Sequence, residues 1–387
     1  MCDLMKWRTL VLVLATAGFC LGFGADVGEQ SLREAAQVSG LLIGTAVRPA
    51  QLSEAAYAST LAREFNMLEP EDALKWEVVH PERQSFDFSQ ADQIVDFATR
   101  HGMKVRGHTL VWHQQNPKWL TEGKYTSDEL AQILEQHIKT VVGHYRGKIF
   151  AWDVVNEAFD ELYPGKLRNT IWSDQPGIGR AGNGMASSDE PRASSKRVRA
   201  KPEARSSEQS FSYIERCFRW AHEADPQALL FYNEAEAEIM NPKADAIYAM
   251  VRDFRQRGVP IDGVGFQMHI ANLHADVASI SANIKRFAAL GVQVHITEMD
   301  VALPVDANGN ARPEDLQRQG DIYRQIATAC VSYPGCTAIQ TWGFTDKYSW
   351  IGSHSKKTQG AALPFDRNYR AKPAYQALRS ALAWGRR

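Results

Sequence analysis

Short runs of β-forming residues alternate with segments of helical periodicity along most of this chain, and this alternation limits the folds open to it. We predict eight strands, each followed by a helical segment. Parallel strands need helical crossovers, and eight such units close a sheet without leaving an edge. The sequence therefore predicts an α/β fold, a (β/α)8 TIM barrel. The strands are predicted at residues 41–47, 65–68, 105–112, 149–156, 228–233, 263–269, 293–297 and 338–343.

Two of the predicted helices have clear N-terminal signals. Thr126 and Glu129 form a capping-box pattern, and Asn241 followed by Pro242 opens a second helix. An open doubly wound sheet is the alternative fold, and it usually has a glycine-rich first turn. The G-x-G-x-x-G match that begins at Gly177 follows no predicted strand and precedes no amphipathic helix. It gives that alternative no support.

The charge balance excludes some classes of partner. The 387 residues include 44 Lys and Arg against 45 Asp and Glu, a formal net charge of -1. Such a chain has no large field of one sign, so we expect neither nucleic acid nor an anionic membrane as its partner. Hydrophobic residues make up 44% of the chain, which is enough for a packed core.

The N-terminal segment resembles a secretory leader. Lys6 and Arg8 precede an apolar run over residues 10–23 and small residues up to Ala25. An uncleaved anchor is the alternative, but the run is shorter than the roughly 20 apolar residues that a spanning helix needs. We therefore expect residues 1–25 to be a signal peptide and the protein to be exported, either to the periplasm or to the medium.

Residues 180–210 interrupt the alternation. They are rich in Gly, Ser, Ala, Arg and Pro, and basic residues outnumber acidic ones among them. This composition predicts a flexible surface insertion, either a solvated loop or a contact for a polyanion or the cell wall. Without the leader and the insertion roughly 330 residues remain, which one elaborated barrel accounts for. We expect residues 26–387 to be a single domain, although the length alone allows two or three.

Three cysteines remain after the predicted leader. Cys330 and Cys336 flank a turn sequence at residues 332–335, so we predict that they form a disulfide. Cys217 lies in the helical pattern of residues 212–224 and is predicted to be a buried free thiol. None of them has a metal-ligand spacing, and we expect no metal site.

A glutamate stands at the end of each of two predicted strands. Glu157 follows the fourth strand and Glu298 follows the seventh. In a barrel of this kind the functional groups lie at the C-terminal ends of the strands. Two carboxyl groups facing each other across the mouth suit cleavage of a glycosidic bond, which needs a proton donor and an opposing carboxylate. A salt bridge is the alternative for either glutamate taken alone.

The residues around both glutamates resemble glycoside hydrolase family 10, the endo-β-1,4-xylanases. The segment W-D-V-V-N-E-A at residues 152–158 and the segment I-T-E-M-D at 296–300 are similar to the two active-site signatures of that family. Further similar blocks follow in the family's order and extend the resemblance over nearly everything from residue 32 to residue 382. These blocks are residues 70–76, 106–113, 265–269 and 341–350.

The resemblance implies a retaining endo-β-1,4-xylanase that acts on xylan and xylo-oligosaccharides by double displacement. We also expect the protein to be a monomer and to need no cofactor. Glu157 would be the general acid/base and Glu298 the nucleophile, with their carboxyl groups about 5–5.5 Å apart. It also implies a set of substrate-binding or supporting side chains. These are Glu71, Asp72, Lys75, Trp76, His108, Trp112, Gln115, Asn156, Asn233, Gln267, His269, Asp300, Trp342 and Trp350.

The implied roles divide these side chains by position. Asn156 would bond the 2-hydroxyl of the sugar being cleaved, and His269, supported by Asp300, would hold Glu298. The next sugar on the glycone side would be faced by Glu71, Asp72, Lys75 and Trp76. Indole rings interleaved with polar groups fit a neutral polysaccharide, because sugar rings present C–H faces as well as hydroxyls.

Two positions depart from the family's pattern. Asp72 stands where the family usually has Asn, so that a carboxylate that only accepts replaces an amide that also donates. Ala235 stands where the family often has an aromatic residue, which predicts weaker binding on the leaving-group side.

Two other functions stay open at this stage. The same machinery acting on another β-1,4-glucan or an aryl glycoside would differ in whether a C6 hydroxymethyl group is admitted, which Lys75, Gln115 and Trp342 would influence. A barrel that only binds polysaccharide is the non-enzymatic alternative, but such a protein has no need of a proton donor opposite a nucleophile.

Overall fold

The computed structural model describes residues 30–173, 178, 211–271 and 273–385. The predicted leader and the predicted insertion lie outside these residues. From Ser31 onward the chain forms one unit. None of the helices in the described ranges combines the length and the apolar character that crossing a bilayer requires.

Eight parallel strands form a closed barrel, which confirms the predicted fold class. Each strand pairs with the next one along the chain, and the eighth pairs with both the seventh and the first. The strands are β1 (Leu42–Val47), β2 (Met67–Pro70), β3 (Lys104–Gly107), β4 (Ala151–Asn156), β5 (Leu229–Glu234), β6 (Gly263–Phe266), β7 (Gln293–Val301) and β8 (Cys336–Thr341). Two-residue strands lie in the loops at His269–Ile270, Leu303–Pro304 and Gln359–Gly360.

Helices precede the first barrel strand, connect successive strands and follow the last strand. Within the described ranges they are α1 (Leu32–Ser39), α2 (Ala55–Glu64), α3 (Trp76–Val79), α4 (Ser89–Arg100), α5 (Lys118–Thr121), α6 (Ser127–His144), α7 (Ser212–Ala224), α8 (Pro242–Gln256), α9 (Val277–Ala288), α10 (Pro313–Val331), α11 (Ile351–His354) and α12 (Pro373–Leu382). A 3₁₀ helix follows β1 at Pro49–Ser53.

The sequence signals at the helix starts are confirmed. At α6 the Thr126 hydroxyl accepts from the Glu129 amide at 3.2 Å, and the Glu129 carboxylate accepts from the Thr126 amide at 2.8 Å. At α8 the Asn241 side chain accepts from the Ala244 amide at 2.7 Å. These bonds satisfy amides that the first turn of a helix leaves without partners.

The third strand is shorter than predicted. We predicted residues 105–112, but β3 ends at Gly107. Beyond it, the Thr109 hydroxyl and the Leu110 amide both donate to the Asp153 carbonyl, at 2.9 and 3.0 Å. Because one carbonyl takes two donors, the backbone leaves the regular ladder here. The polar residues after Gly107 are therefore on a loop at the barrel mouth.

The predicted disulfide is present. It joins Cys330, near the end of α10, to Cys336, the first residue of β8, with an S–S distance of 2.00 Å. Cys217 is buried in α7 and makes no disulfide within the described part of the chain.

Candidate active site

Glu157 occupies the first position after β4. Its backbone φ of 52° is unusual for a residue with a side chain, and its amide donates to the Asn233 carbonyl at 3.0 Å. Each carboxylate oxygen of Glu157 has a donor: Trp112 Nε1 lies 2.8 Å from Oε2, and Gln267 Nε2 lies 2.8 Å from Oε1. The carboxylate is thereby fixed at the mouth of the barrel, where 13% of the side chain stays exposed.

Glu298 projects from β7 and is almost fully buried. Its Oε1 accepts from Asn233 Nδ2 at 2.7 Å, and its Oε2 lies 3.2 Å from His269 Nε2. Asn233 comes from β5 and His269 from the loop that follows β6, so two other units of the barrel position this carboxylate.

Amide side chains join the two carboxylates into one hydrogen-bond network. Asn156 Oδ1 accepts from Asn233 Nδ2 at 2.9 Å and from Gln267 Nε2 at 3.3 Å. Asn233 Oδ1 in turn accepts from the Thr297 hydroxyl at 2.7 Å. A Cβ atom at Gly265 would lie only 2.1 Å from Asn233 Oδ1, so β6 needs glycine at this point.

His269 lies between two carboxylates. Its Nδ1 is 3.0 Å from Asp300 Oδ2, which also accepts from Trp350 Nε1 at 2.8 Å. Burial opposes a charge on the imidazole, but the attraction of Asp300 and Glu298 outweighs it and raises the pKa of His269 well above its usual range. The imidazole is therefore a cation that donates to Glu298 on one side and to Asp300 on the other.

A buried ionic cluster lies in the barrel interior below these groups. Arg106 pairs with Asp153 and lies 3.6 Å from Glu69, while His108 Nδ1 lies 3.0 Å from Asp153 and 3.3 Å from Glu69. Burial, only partly opposed by His108 and Arg106, raises the pKa of Glu69 to about 8. Gln340 also donates to Glu69.

Glu69, His108 and Asp153 are close enough together to share a cation. The Arg106 guanidinium already supplies the positive charge beside both carboxylates. These carboxylates therefore fit a buried ion-pair cluster with Arg106 better than a metal centre.

A second buried carboxylate supports the loop that begins with Glu157. Glu234 accepts from the Tyr232 hydroxyl at 2.6 Å and from the Phe159 amide at 3.2 Å, and the Tyr232 oxygen accepts from the Ala158 amide at 3.0 Å. Burial, opposed in part by Lys243, raises the pKa of Glu234 to about 7. This cluster fixes the two residues that follow Glu157.

The predicted glycone-side residues meet the predicted tryptophans. Lys75 Nζ lies 3.2 Å from Asp72 Oδ1, 4.9 Å from the Trp112 ring centroid and 5.8 Å from that of Trp342. The Trp342 ring also meets the edge of His108, with centroids 5.3 Å apart. Charged and aromatic surfaces therefore adjoin in the same part of the cleft.

One of the predicted substrate residues is packed inside the protein. Trp76 is 2% exposed, stacks on His137 with centroids 3.6 Å apart, and donates to the Leu110 carbonyl. The prediction that it faces a sugar is wrong, because its ring is packed inside the protein. Gln115 donates to Glu77 at 2.9 Å and bonds neither of the two catalytic candidates.

Sequence reasoning missed several neighbours of the site. His113, which was not among the predicted site residues, lies with Nδ1 3.9 Å from Glu157 Oε2. Burial and Arg168 lower the pKa of His113, so a neutral ring adjoins the carboxylate. Glu69 and Glu234 also stand near strand ends, and this position was the sequence signal that could have identified them. We assigned a functional role at a strand end only to Glu157 and Glu298.

Comparisons with known proteins agree with this geometry. Residues 31–180 and 192–381 match the sequence profile described as glycosyl hydrolase family 10. The chain is similar to endo-1,4-beta-xylanase B of Thermotoga neapolitana, with 42% identity over 323 residues covering 84% of this chain and 82% of the relative. It is also similar to a beta-1,4-xylanase of Dictyoglomus thermophilum, with 38% identity over 382 residues covering 96% of this chain and 97% of the relative.

A solved structure shares the fold. The crystal structure of xylanase 10B from Thermotoga petrophila RKU-1 in complex with xylobiose superimposes with a TM-score of 0.79 and 39% identity. The match covers 92% of this chain and 97% of that one. The similarity therefore extends over almost the whole barrel.

Proposed function

The chain belongs to glycosyl hydrolase family 10, and from that premise we propose that it is a retaining endo-β-1,4-xylanase. One observation carries the proposal. Glu157 and Glu298 both face the barrel mouth and are joined through Asn156, Asn233 and Gln267 in one hydrogen-bond network. Such a pair supplies the proton donor and the nucleophile that double displacement requires.

In the first step the Glu298 carboxylate attacks the anomeric carbon while Glu157 gives its proton to the leaving oxygen. The leaving chain departs as an alcohol, and a glycosyl ester forms on Glu298. The His269 cation, held by Asp300, stabilises the carboxylate before attack and again when it is released.

In the second step Glu157 accepts a proton from water, which attacks the anomeric carbon and breaks the ester to Glu298. Trp112 and Gln267 keep the Glu157 oxygens in place between the two steps. Two inversions at one carbon give net retention, and such pairs lie about 5–5.5 Å apart.

The substrate class follows from the lining and from the relatives. Trp112 and Trp342 offer flat apolar surfaces beside Lys75 and Asp72, which suits a sugar chain with C–H faces and hydroxyls. Two similar proteins are named as xylanases, and a similar structure holds xylobiose. Xylan and xylo-oligosaccharides are the proposed substrates.

The test compares purified protein on xylan and on carboxymethyl cellulose. We expect new reducing ends from xylan at a rate at least tenfold above that from the cellulose derivative. The Glu157→Ala variant should lose activity on xylan. On an activated aryl xyloside azide should restore part of its activity, because a good leaving group needs no acid. No release from either polymer would favour a barrel that only binds polysaccharide, and faster release from the cellulose derivative would favour a glucanase.

Export and the monomeric state are part of the same proposal. The basic and apolar pattern of residues 1–25 and the Cys330–Cys336 disulfide are typical of an exported protein. N-terminal sequencing of the protein recovered outside the cytoplasm should begin near residue 26. Light scattering should give a mass near that of one chain, and a doubled mass would contradict the monomer.

A further inference from the structure

Arg48 contacts both acidic residues at the glycone end of the cleft. Its Nη2 lies 2.7 Å from Glu71 Oε1, and its Nε lies 2.9 Å from Asp72 Oδ2. Neither contact uses Nη1, and half of the Arg48 side chain is exposed. One guanidinium therefore joins two carboxylates, and its Nη1 group takes part in neither contact.

The register of the barrel brings these groups together. Val47, the last residue of β1, pairs with Pro70, the last residue of β2, and the Glu71 amide donates to the Val47 carbonyl at 2.9 Å. Arg48 and Glu71 are thus the first residues beyond two paired strand ends. Their proximity is a property of the sheet and does not depend on a long loop.

The backbone of Arg48 is restrained in three ways. Pro49 follows it and disfavours helical dihedral angles, and Arg48 is extended at φ -110° and ψ 141°. Its amide donates to the Gln51 side chain at 3.2 Å. At the end of this loop, Glu54 pairs with Lys347 at 2.7 Å, which ties the loop to the one after β8. The backbone that carries the Arg48 guanidinium is therefore held in place.

The charges around Asp72 are balanced by position. Asp72 lies between Arg48 and Lys75, while Glu71 lies beside Arg48 and keeps only 9% of its side chain exposed. Burial raises the pKa of Glu71, and Arg48 is the strongest of the groups that oppose this. Loss of Arg48 would leave two adjacent carboxylates with Lys75 as their nearest cation.

We propose that Arg48 is a specificity-determining and positioning residue of the glycone side. It fixes Glu71 and Asp72 as acceptors for sugar hydroxyls. It also supplies an N–H donor, which the Asp72 side chain lacks and which the asparagine usual in the family would provide. This inference rests on the proposed function. It concerns binding of the sugar one place beyond the cleaved residue and leaves the chemistry at Glu157 and Glu298 untouched.

The experiment compares an aryl β-xyloside, which fills only the subsite of the cleaved sugar, with an aryl β-xylobioside, which also fills the next glycone subsite. For Arg48→Met we expect KM for the xylobioside to rise about tenfold, the value of one charged hydrogen bond. The effect on kcat/KM for the xyloside should stay below about twofold. Arg48→Lys keeps the charge but loses the two-carboxylate contact, so its effect should lie between those of Met and wild type.

The pH dependence separates this role from a structural one. Burial raises the pKa of Glu71 and Arg48 lowers it, so loss of Arg48 should raise this pKa further. The acid limb of the 1/KM profile for the xylobioside should therefore move to higher pH in Arg48→Met. Arg324→Met is the matched control, because Arg324 is similarly exposed and pairs with Asp321 on the outer helix α10. It should change neither the limb nor the ratio of the two substrates.

A double variant tests the proposed link to Asp72. An asparagine at that position brings its own N–H donor, so Arg48→Met combined with Asp72→Asn should recover part of the xylobioside affinity lost in Arg48→Met alone. Equal losses of affinity for both substrates in Arg48→Met would overturn the inference. A double variant whose loss equals the sum of the losses in Arg48→Met and Asp72→Asn would also overturn it. Either result would leave the xylanase proposal intact. A wild-type protein inactive on both substrates would overturn both.

Discussion

At the scale of single residues, Asp300 decides the charge of the imidazole that faces Glu298. It lies 3.0 Å from His269 and, after burial, is the strongest influence on that ring. The Asp300→Asn variant should lower the pKa of His269, because the carboxylate that favours the cation is gone. The imidazole of His269 should therefore lose its proton at lower pH in Asp300→Asn than in wild type.

The measurement is a pH titration of the His269 imidazole signals by NMR for wild type and variant. Asp321→Asn, which removes an exposed carboxylate from α10, serves as the control and should leave the titration unchanged. A titration of His269 at the same pH in Asp300→Asn as in wild type would show that the charge on His269 does not depend on Asp300.

Residue identity alone predicted some of the site and misassigned other parts. Glu157, Asn156 and His269 stand at strand ends, where a barrel gathers its functional groups, so their convergence could be predicted. Trp76 was misassigned because a sequence does not say which face of a short helix is buried; its ring packs on His137, more than fifty positions away. The partnership of Arg48 with Asp72 depends on strand register, which no local pattern encodes.

At the scale of elements, β6 must pass close to Asn233. The Gly265→Ala variant would place a methyl group 2.1 Å from Asn233 Oδ1 and 2.9 Å from Thr297. Asn233 holds Glu298, so displacement should lower kcat on xylan by about a hundredfold. Gly143→Ala in α6 is the control, since nothing lies within 4 Å of its added carbon. Steady-state kinetics with a thermal melt would check this, and unchanged kcat in Gly265→Ala would contradict it.

Helices α3 and α6 meet at a pair of buried histidines. His137 Nδ1 lies 3.2 Å from His80 Nδ1, and burial lowers the pKa of His137 well below its usual range. Above pH 6.5 both folded and unfolded chains hold a neutral ring, so this group adds no pH dependence. Below it the unfolded chain binds a proton that the folded chain refuses, and the free energy of unfolding falls by about 1.4 kcal/mol per pH unit.

Between pH 7.5 and pH 5 the free energy of unfolding of wild type should fall by about 2 kcal/mol more than that of His137→Gln. Urea denaturation at both pH values measures it. The exposed His222→Gln variant in α7 should show no such change. A difference that is the same at both pH values for His137→Gln would contradict a neutral buried ring.

The elements themselves were largely predictable. All eight strands overlap the predicted segments and α7 covers the predicted residues 212–224, although β6 ends at Phe266, before the predicted residue 269, and β7 continues past residue 297 to Val301. The end of the third strand was not predictable, because Thr109 and Leu110, beyond Gly107, bond to the carbonyl of Asp153 in place of the ladder. The buried Arg106–Asp153 pair joins β3 to β4, and it follows from the closed sheet rather than from either segment.

At the scale of the whole molecule, the predicted insertion contains none of the candidate site residues, all of which lie within the described ranges. The family match is interrupted between residues 180 and 192, inside that predicted insertion. Replacing residues 181–191, which lie outside the match, by a short Gly-Ser linker should leave kcat/KM on xylan within about twofold, because the composition of residues 180–210 predicts a loop and loops tolerate length changes. A tenfold loss would show that the segment takes part in catalysis or folding.

The near-zero net charge fits this account at the same scale. Substrate capture would depend on Trp112, Trp342 and hydrogen-bonding groups in the cleft, with no long-range attraction needed for an uncharged chain. Activity on neutral xylo-oligosaccharides should then vary little with ionic strength.

The stereochemistry of the first product tests the central claim most directly. Purified protein would be mixed with xylohexaose in an NMR tube and the anomeric protons followed from the first minute, before mutarotation scrambles them. Double displacement through Glu298 predicts that the β-anomer of the new reducing end appears first and the α-anomer grows in later. An α-configured first product would contradict the assignment of Glu298 as a nucleophile.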